Sequence, residues 1–539
     1  MEHSTLGLVI TALVVVWIHQ QRRTSKTVNS VLYKIPGPPN PSWITGEVPE
    51  VFSTQPWTFL RTMESYGPTA VYSGFFGAKI IHTFDPKAMY HILIKDQGTY
   101  DEMPWFLQIN KLLLGEGLMA TEGERHRRQK KLLNPAFSTS QLREIVPIFN
   151  GVARTLRDTL ANKVDDGVCE ARSTTINMFS WLSRVAFELF SQAGLGTSFD
   201  SLQDEASAHP YSRVMKSVVP YIGRVAGAGG VVILPLLEKF GTPESRLALV
   251  KILPFRLFQD GLEYAYYMWD LSTDVVREKK ERLFKGSRKE EKDVITTLIH
   301  ANLNAAQEDQ LDEKEIIGQQ VSTFSFAAMD TTSSALSRTF DMLSRNPTVQ
   351  EKLRAEILEA QEKHGAEDLA YDVLVNLPYL EAVCKESLRF ANRDCILPLA
   401  TPITATDGSL ITEIPISKGQ EIYGSLIGSN RNPQFWGPDA DEWKPERWLS
   451  PLPSSLIEAK IPGIYSHLMT FSAGPRSCIG SKFSQLEMKT VLAFLLGSFK
   501  FTPTGVEIIY HSAGVANPTV KGSLEPRLPL RLEKVPRAT

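Results

Sequence analysis

The residues best suited to chemistry lie between Phe471 and Gly480, which read FSAGPRSCIG. One cysteine, Cys478, stands there among small residues, with Arg476 two positions before it. A thiolate that binds a metal must be shielded from water yet supplied with hydrogen bonds that temper its charge. Gly474 and Gly480 permit backbone conformations and close approaches that a side chain would block. Arg476 carries the planar fork that pairs with a carboxylate of a bound ligand. After Gly480 the run SKFSQLEMKTVLAFLLGSF has helical spacing, so the loop feeds a helix amino terminus, a place that stabilises a nearby anion. Taken alone, the same cysteine also reads as a small buried hydrophobe.

Four further clusters combine reactive types at definite spacing. Ala327-Ala328-Met329-Asp330-Thr331-Thr332 places an acid and two hydroxyls inside a helical stretch flanked by Phe324 and Phe326. Asp and Thr compete for backbone hydrogen bonds in a helix interior, a local cost expected where function needs it. Glu386-Ser387-Leu388-Arg389 puts opposite charges three residues apart, on one helix face, a spacing that ordinary exposed helices also use. Downstream, Trp436-Gly437-Pro438-Asp439 leads into Trp443-Lys444-Pro445-Glu446-Arg447-Trp448. The segment Gly123–Phe137 (GERHRRQKKLLNPAF) is strongly basic, which suits either a solvated face or an acidic partner.

The elements that must position these groups are mostly helical. Ser138–Ala161, Ile176–Gln192, Tyr264–Leu283, Glu313–Arg345 and Val349–His364 carry apolar residues at helical spacing. Strand candidates are short: Thr69–Ser73, Lys79–Thr83 and Glu421–Ser425. With no internal repeat and no second linker, this pattern predicts one large, mainly α domain with a small β portion. The unusually apolar stretch Tyr221–Trp269 is either a buried helix pair or a surface that touches a bilayer.

At its amino terminus the chain has an uncharged run, Leu6–Ile18, with Arg22 and Arg23 after it, which predicts an uncleaved anchor that leaves the rest of the chain cytosolic. Residues 1–23 are assigned to this anchor, 24–41 to a connector stiffened by YKIPGPPNP, and 42–539 to the catalytic body. A net charge of −2 gives no reason to expect nucleic acid. Four cysteines without a C-x-x-C pair form no disulfide framework and point to a reducing compartment. No cluster of Cys and His has the spacing of a zinc site.

Phe471-x-x-Gly474-x-Arg476-x-Cys478-x-Gly480 resembles the haem-binding signature of the cytochrome P450 family at every fixed position, and the other clusters follow in the family's order. The resemblance implies a P450-like single large domain, mainly α with a small β portion, preceded by an amino-terminal membrane anchor helix. It implies a haem b cofactor, with Cys478 as axial ligand of the iron. It further implies Arg476 as a propionate partner, and Phe471, Gly474 and Gly480 as part of the haem-binding loop. By the same resemblance Thr331 holds the proton network of dioxygen and Asp330 relays protons from solvent. Glu386, Arg389 and Arg447 become a buried ion network that fixes the meander before the cysteine loop. The helix around GERHRRQKK is similar to one that usually carries W-x-x-x-R. His126 then takes the tryptophan position and Lys130 the arginine position, each a donor to haem propionates, with Lys lacking the bidentate fork.

Two departures stand out. Ala328 occupies a place where the family commonly has glycine, and FANRDCILPLATPITATDG after Arg389 lacks the usual proline pair and is shortened by several residues. Arg393 is the only nearby basic residue there, so the pocket wall is either built differently or damaged. Details such as WGPDADEWKPERW look similar to fungal membrane-bound members.

The implied activity is that of a haem-thiolate monooxygenase using O2. Pocket candidates Met103–Ile109, Tyr221–Phe258, Phe324–Ala328 and Ile396–Leu399 are largely apolar, which predicts a lipophilic substrate: a terpenoid, sterol, fatty acid or aromatic xenobiotic. The chain has no dinucleotide fingerprint after a predicted strand, so electrons would come from an NADPH-dependent flavoprotein reductase on the same endoplasmic reticulum membrane. Two rival readings are a reductase-independent haem-thiolate isomerase or dehydratase, and a non-catalytic membrane-tethered haem-binding protein.

Overall fold

The computed structural model describes residues 31–166, 173–204, 209–238, 251, 256–285, 292–319, 327–390, 403–417, 419–512 and 515–535. The anchor, Phe324–Phe326 and the stretch 391–402 after Arg389 fall outside these described residues.

Strands β1 (Thr69–Ser73) and β2 (Lys79–Thr83) form where β-branched and aromatic residues cluster, and they pair antiparallel with Val71 opposite Ile81. The basic segment is a helix, α1 (Gly123–Leu133), followed by the long α2 (Thr139–Asp166). A short strand, β3 (Ser173–Asn177), precedes α3 (Met178–Phe190). The helix expected from Ile176 therefore begins two residues later, because the STTI run pairs as a strand. Next come α4 (Pro210–Val225), α5 (Arg256–Phe284), α6 (Ala327–Arg345), α7 (Pro347–His364) and α8 (Pro378–Arg389). Strand β4 (Ile422–Gly424) joins β2 in parallel, with Ile422 opposite Ile81. The chain finishes with α9 (Ser481–Leu496), β5 (Phe499–Pro503), the hairpin β6 (Ile508–Ser512) and β7 (Ala516–Val520), and β8 (Pro529–Lys534). β8 lies between β3 and β5, so Leu530 sits opposite Ile176 and Leu532 opposite Phe501. That sheet staples the carboxyl end to the segment that launches α3.

The helix after the cysteine loop, α9, runs through the core. Its Phe483 meets Phe149 of α2 at 5.1 Å and Phe190 of α3 at 5.7 Å, both between ring centroids. Alongside it, α6 is buried despite its Ser and Thr content. Ser337 donates to Ser333 O at 2.7 Å and Thr339 to Ala335 O at 2.8 Å, so these hydroxyls are satisfied within the helix itself. Small side chains on that face let α3 pack along it.

The apolar span Val214–Pro235 is long and apolar enough to cross a membrane by length and composition. Val218, Tyr221, Val225 and Ala226 are nevertheless buried in the core, and Tyr221 meets Tyr264 of α5 edge-on at 5.8 Å. Only about 35% of this span is buried, so both readings of Tyr221–Trp269 keep support over it.

Candidate active site

Backbone bonds shape the cysteine loop. Cys478 N donates to Phe471 O at 2.9 Å, closing the loop on a turn at Met469–Phe471. Gly474 has φ +64, and a Cβ there would come within 1.8 Å of Leu93 O. Only glycine permits both the left-handed conformation and that contact. At Gly480 a Cβ would meet only Phe137, at 3.9 Å, so steric need does not explain that glycine. The thiol of Cys478 is exposed, in contrast to Cys384, whose thiol is buried and pushed up to about 12 by that burial.

Three basic side chains converge beside the loop. His126 is buried on α1, and its imidazole is driven down to about 3 by desolvation, with the Arg476 and Lys130 charges adding to the effect. It is neutral at physiological pH. Arg476 is half-buried and has no carboxylate partner among the described residues. Lys130 Nζ donates to Pro475 O at 2.6 Å, Ser477 O at 2.9 Å and Ser477 Oγ at 3.3 Å. Burial lowers the Lys130 pKa, the Cys478 sulfur raises it, and Arg476 lowers it. Gathering positive charge in a partly buried place without an anion is costly. An exposed thiol next to such a cluster fits a haem, whose iron takes a thiolate and whose propionates take cations.

The rest of the basic helix is neutralised within the chain. Arg125 and Arg128 both bind Glu315, which is buried, and Arg125 also binds Glu116. Lys131 binds Asp309 at 2.7 Å, and Arg127 pairs with Glu124. The basic run therefore reads as an internal clamp more than as a bare surface for an acidic partner.

The acid and hydroxyl of α6 are neighbours in sequence but face different surroundings. Thr331 is exposed and donates to Ala327 O at 2.7 Å. Asp330 is buried with Oδ1 unpartnered, and burial raises its carboxyl to about 6 against a pull from Lys216 of α4. Lys216 is itself lowered to about 8 by burial, and its ammonium lies 4.4 Å from the centroid of Phe179. The next hydroxyl, Thr332, sits 3.0 Å from Ser484 Oγ and donates to Glu487 Oε2 at 3.0 Å. Glu487 is wholly buried, and burial holds its carboxyl well above the usual range. Lys216 and Glu487 escaped the sequence reading. Each lies in a helical run that carries other charges, Arg213 near Lys216 and Lys489 near Glu487 in sequence, so nothing local distinguishes it.

The raised Asp330 pKa has a stability consequence. Below about pH 3 the carboxyl is neutral in both folded and unfolded chains. As pH rises from the ordinary value of 3.8 to about 6, the unfolded chain ionises first, so stability falls by up to about 3 kcal/mol and stays lower above that. Asp330→Asn is expected to melt higher than the parent at pH 7.5, and the gap should largely close at pH 4. Equal gaps at both pH values in a thermal melt would contradict the burial argument.

The Glu386–Arg389 pair is fully buried, with Arg389 Nη2 donating to Glu386 Oε1 at 2.7 Å and Nε to Oε2 at 3.0 Å. Lys444 N and Trp448 Nε1 also donate to Glu386, each at 2.9 Å. Arg447 joins by charge only, its Nε lying 3.6 Å from Glu386 Oε1, while its own hydrogen bonds go to Asp439 and Trp436 O. Asp439 is thus a fourth member that sequence reasoning did not single out.

A cavity of about 410 Å³ brings Met103 and Trp105 together with Val231, Val232, Phe52 and Trp43. Two of the expected pocket segments touch it, but Asn40, Ser73, Lys79, Gln420 and Glu421 line it as well, and neither Cys478 nor Thr331 does. Phe324–Phe326 and Ile396–Leu399 lie outside the described residues.

Comparison with known proteins gives a consistent picture. The family model for cytochrome P450 matches residues 36–526. The chain is 43% identical to cytochrome P450 monooxygenase 91 of Postia placenta, over 97% of each chain. It is 39% identical to a ganoderic acid synthetase of Ganoderma lucidum over 94% of each, and 33% identical to the monooxygenase eriI of Hericium erinaceus over 91% of each.

Proposed function

Because this chain belongs to the cytochrome P450 family and is a monooxygenase, we propose that it inserts one oxygen atom from O2 into a lipophilic small molecule of secondary metabolism. The observation that carries this reading is the cysteine loop: an exposed thiol held by backbone bonds, beside basic side chains that lack an anion. The proposed cofactor is haem b, which with a thiolate ligand supplies O2 activation and oxygen transfer to a C–H bond. Cys478 provides the thiolate, and Arg476 and His126 take the propionates. His126 offers a ring N–H to one of them.

On α6, Thr331 is exposed while its own proton is held on Ala327 O. Asp330, with a pKa close to working pH, can take and release a proton under a steady bias from Lys216. The apolar composition of the segments Met103–Ile109 and Tyr221–Phe258 supports a substrate with little polar surface. The name of the Ganoderma relative supports a role in secondary metabolism. The electron donor we propose is an NADPH-dependent flavoprotein reductase on the endoplasmic reticulum membrane. Residues 1–23 would anchor the chain there, with the catalytic body, residues 42–539, facing the cytosol and joined through 24–41. The support is the uncharged run Leu6–Ile18 followed by Arg22 and Arg23.

The test is reconstitution with reductase, NADPH and a panel of terpenoids, sterols, fatty acids and aromatic compounds, scored for products heavier by one oxygen. Product formed without NADPH and reductase would instead favour the isomerase or dehydratase reading. In the same assay Thr331→Ala is expected to keep consuming NADPH while product falls about tenfold or more and peroxide rises. Product fully coupled to NADPH in that variant would remove Thr331 from the proton route.

A further inference from the structure

We propose that Lys130 is a positioning residue for the thiolate loop and is not a partner of the haem carboxylates, an inference that rests on the proposed ligation by Cys478. A lysine has three N–H donors. All three are engaged, by Pro475 O at 2.6 Å, Ser477 O at 2.9 Å and Ser477 Oγ at 3.3 Å, which leaves none for a carboxylate. The two carbonyls belong to the residues on either side of Arg476, and the second is the peptide oxygen directly before Cys478. Holding both fixes the orientation of the peptide units that carry the sulfur into place. On the other side Cys478 N is held by Phe471 O at 2.9 Å, so the ligand is gripped from both directions.

The clamp is built on a rigid support. Arg125 and Arg128, five and two residues before Lys130, are locked to buried Glu315, Gln129 donates to Glu116 O at 2.9 Å, and Lys131 is tied to Asp309. α1 therefore cannot slide to redirect the ammonium without breaking several ion pairs. A positioned group on a fixed helix is what an exact ligand geometry needs. Lys130 also brings a positive charge to the loop that carries the thiolate, which favours the ionised sulfur. An arginine there would direct a flat fork outward. The lysine ammonium, a compact point donor on a flexible stem, matches three oxygens gathered within one loop.

The experiment measures haem content and ligation separately, on the full chain. Haem stoichiometry comes from the pyridine haemochromogen of purified protein. Ligation comes from the Soret position of the reduced carbon monoxide complex and the rate at which it drifts from the thiolate position to the shorter-wavelength position of a lost thiolate. For Lys130→Met the expected result is near-parental haem content with a drift about tenfold faster or more, since three charge-assisted hydrogen bonds on the loop are lost. Lys130→Gln retains two N–H donors, folds with less disturbance, and should fall between the two. Arg476→Met is expected to show the opposite pattern, with haem lost while the remaining carbonyl complex keeps its thiolate position. Loss of haem from Lys130→Met or Lys130→Gln with an unchanged drift rate would make Lys130 a propionate partner and overturn the proposal. Unchanged haem and unchanged drift in both would overturn it equally. Absence of any thiolate band in the parent protein would instead refute the ligation by Cys478 on which the inference rests.

Discussion

Cys478→Ala is expected to give a folded protein whose reduced, carbon monoxide-treated spectrum has no red-shifted Soret band. The argument depends on how the loop is held. The bond that closes it runs from the backbone N of Cys478 to Phe471 O, and alanine keeps that bond. The left-handed turn is supplied by Gly474, and the clamp from Lys130 reaches Pro475 and Ser477. None of these uses the sulfur. The chain's own bonds therefore survive the substitution, and the variant should fold. A missing band in protein with a parental far-UV circular dichroism spectrum then reports the ligand and not the fold. Cys384→Ala supplies the contrast: it removes a buried thiol from the core and should cost about 1 kcal/mol while leaving the band in place. A parental band in Cys478→Ala would remove the ligand assignment altogether.

How much of this was legible in the sequence depended on the range of the interaction. β1 and β2 were readable to the residue, because alternation and β-branching are local properties. α7 was readable within two residues at each end for the same reason, whereas α2 runs five residues past its expected end and α5 begins eight residues before its expected start. The last two residues of β3, Ile176 and Asn177, were read as the start of a helix and the strand was missed, because its pairing partner β8 lies at the far end of the chain and nothing nearby signals it. The candidate site divides along the same line. Cys478, Gly474, Glu386 and Arg389 belong to motifs whose spacing is itself the signal. Lys130 was assigned to propionates from its place in a motif, whereas its donors engage a loop almost 350 residues away in the sequence, by rough count. Asp330 and Thr331 were read as a side-by-side pair. On a helix, consecutive residues point about 100° apart, and one is buried towards Lys216 while the other faces open space. Asp439 and Glu487 carry no local signature at all, since an acid becomes a network member only when folding brings Arg447 or Thr332 beside it.

Arg389→Lys, although it keeps the charge, is expected to prevent accumulation of haem-loaded protein. An arginine guanidinium has five N–H donors, and in this site all five are used. Nε and one Nη2 proton go to the two oxygens of Glu386, the other Nη2 proton to Glu442 O at 2.9 Å, and the Nη1 protons to Ala440 O at 2.6 Å and Asn430 O at 3.2 Å. Three of the acceptors are backbone carbonyls of the meander between β4 and the cysteine loop, so the side chain fixes that segment as well as neutralising Glu386. Lysine offers three donors in no fixed plane and leaves at least two buried acceptors empty, at about 1–3 kcal/mol each. Glu386→Gln keeps the shape but strands a fully buried guanidinium, which costs about 3–5 kcal/mol. Either loss is a large share of the ~5–15 kcal/mol that holds a folded domain together. Because the meander delivers the chain into FSAGPRSCIG, the failure should appear first as absent haem and rapid proteolysis between residues 430 and 480. A Glu386→Met, Arg389→Met double variant removes both charges together and should be less damaging to stability than Arg389→Met alone. Limited proteolysis with haem quantification separates these cases. Parental haem loading in Arg389→Lys would show that charge alone, without the fork, suffices to hold the meander.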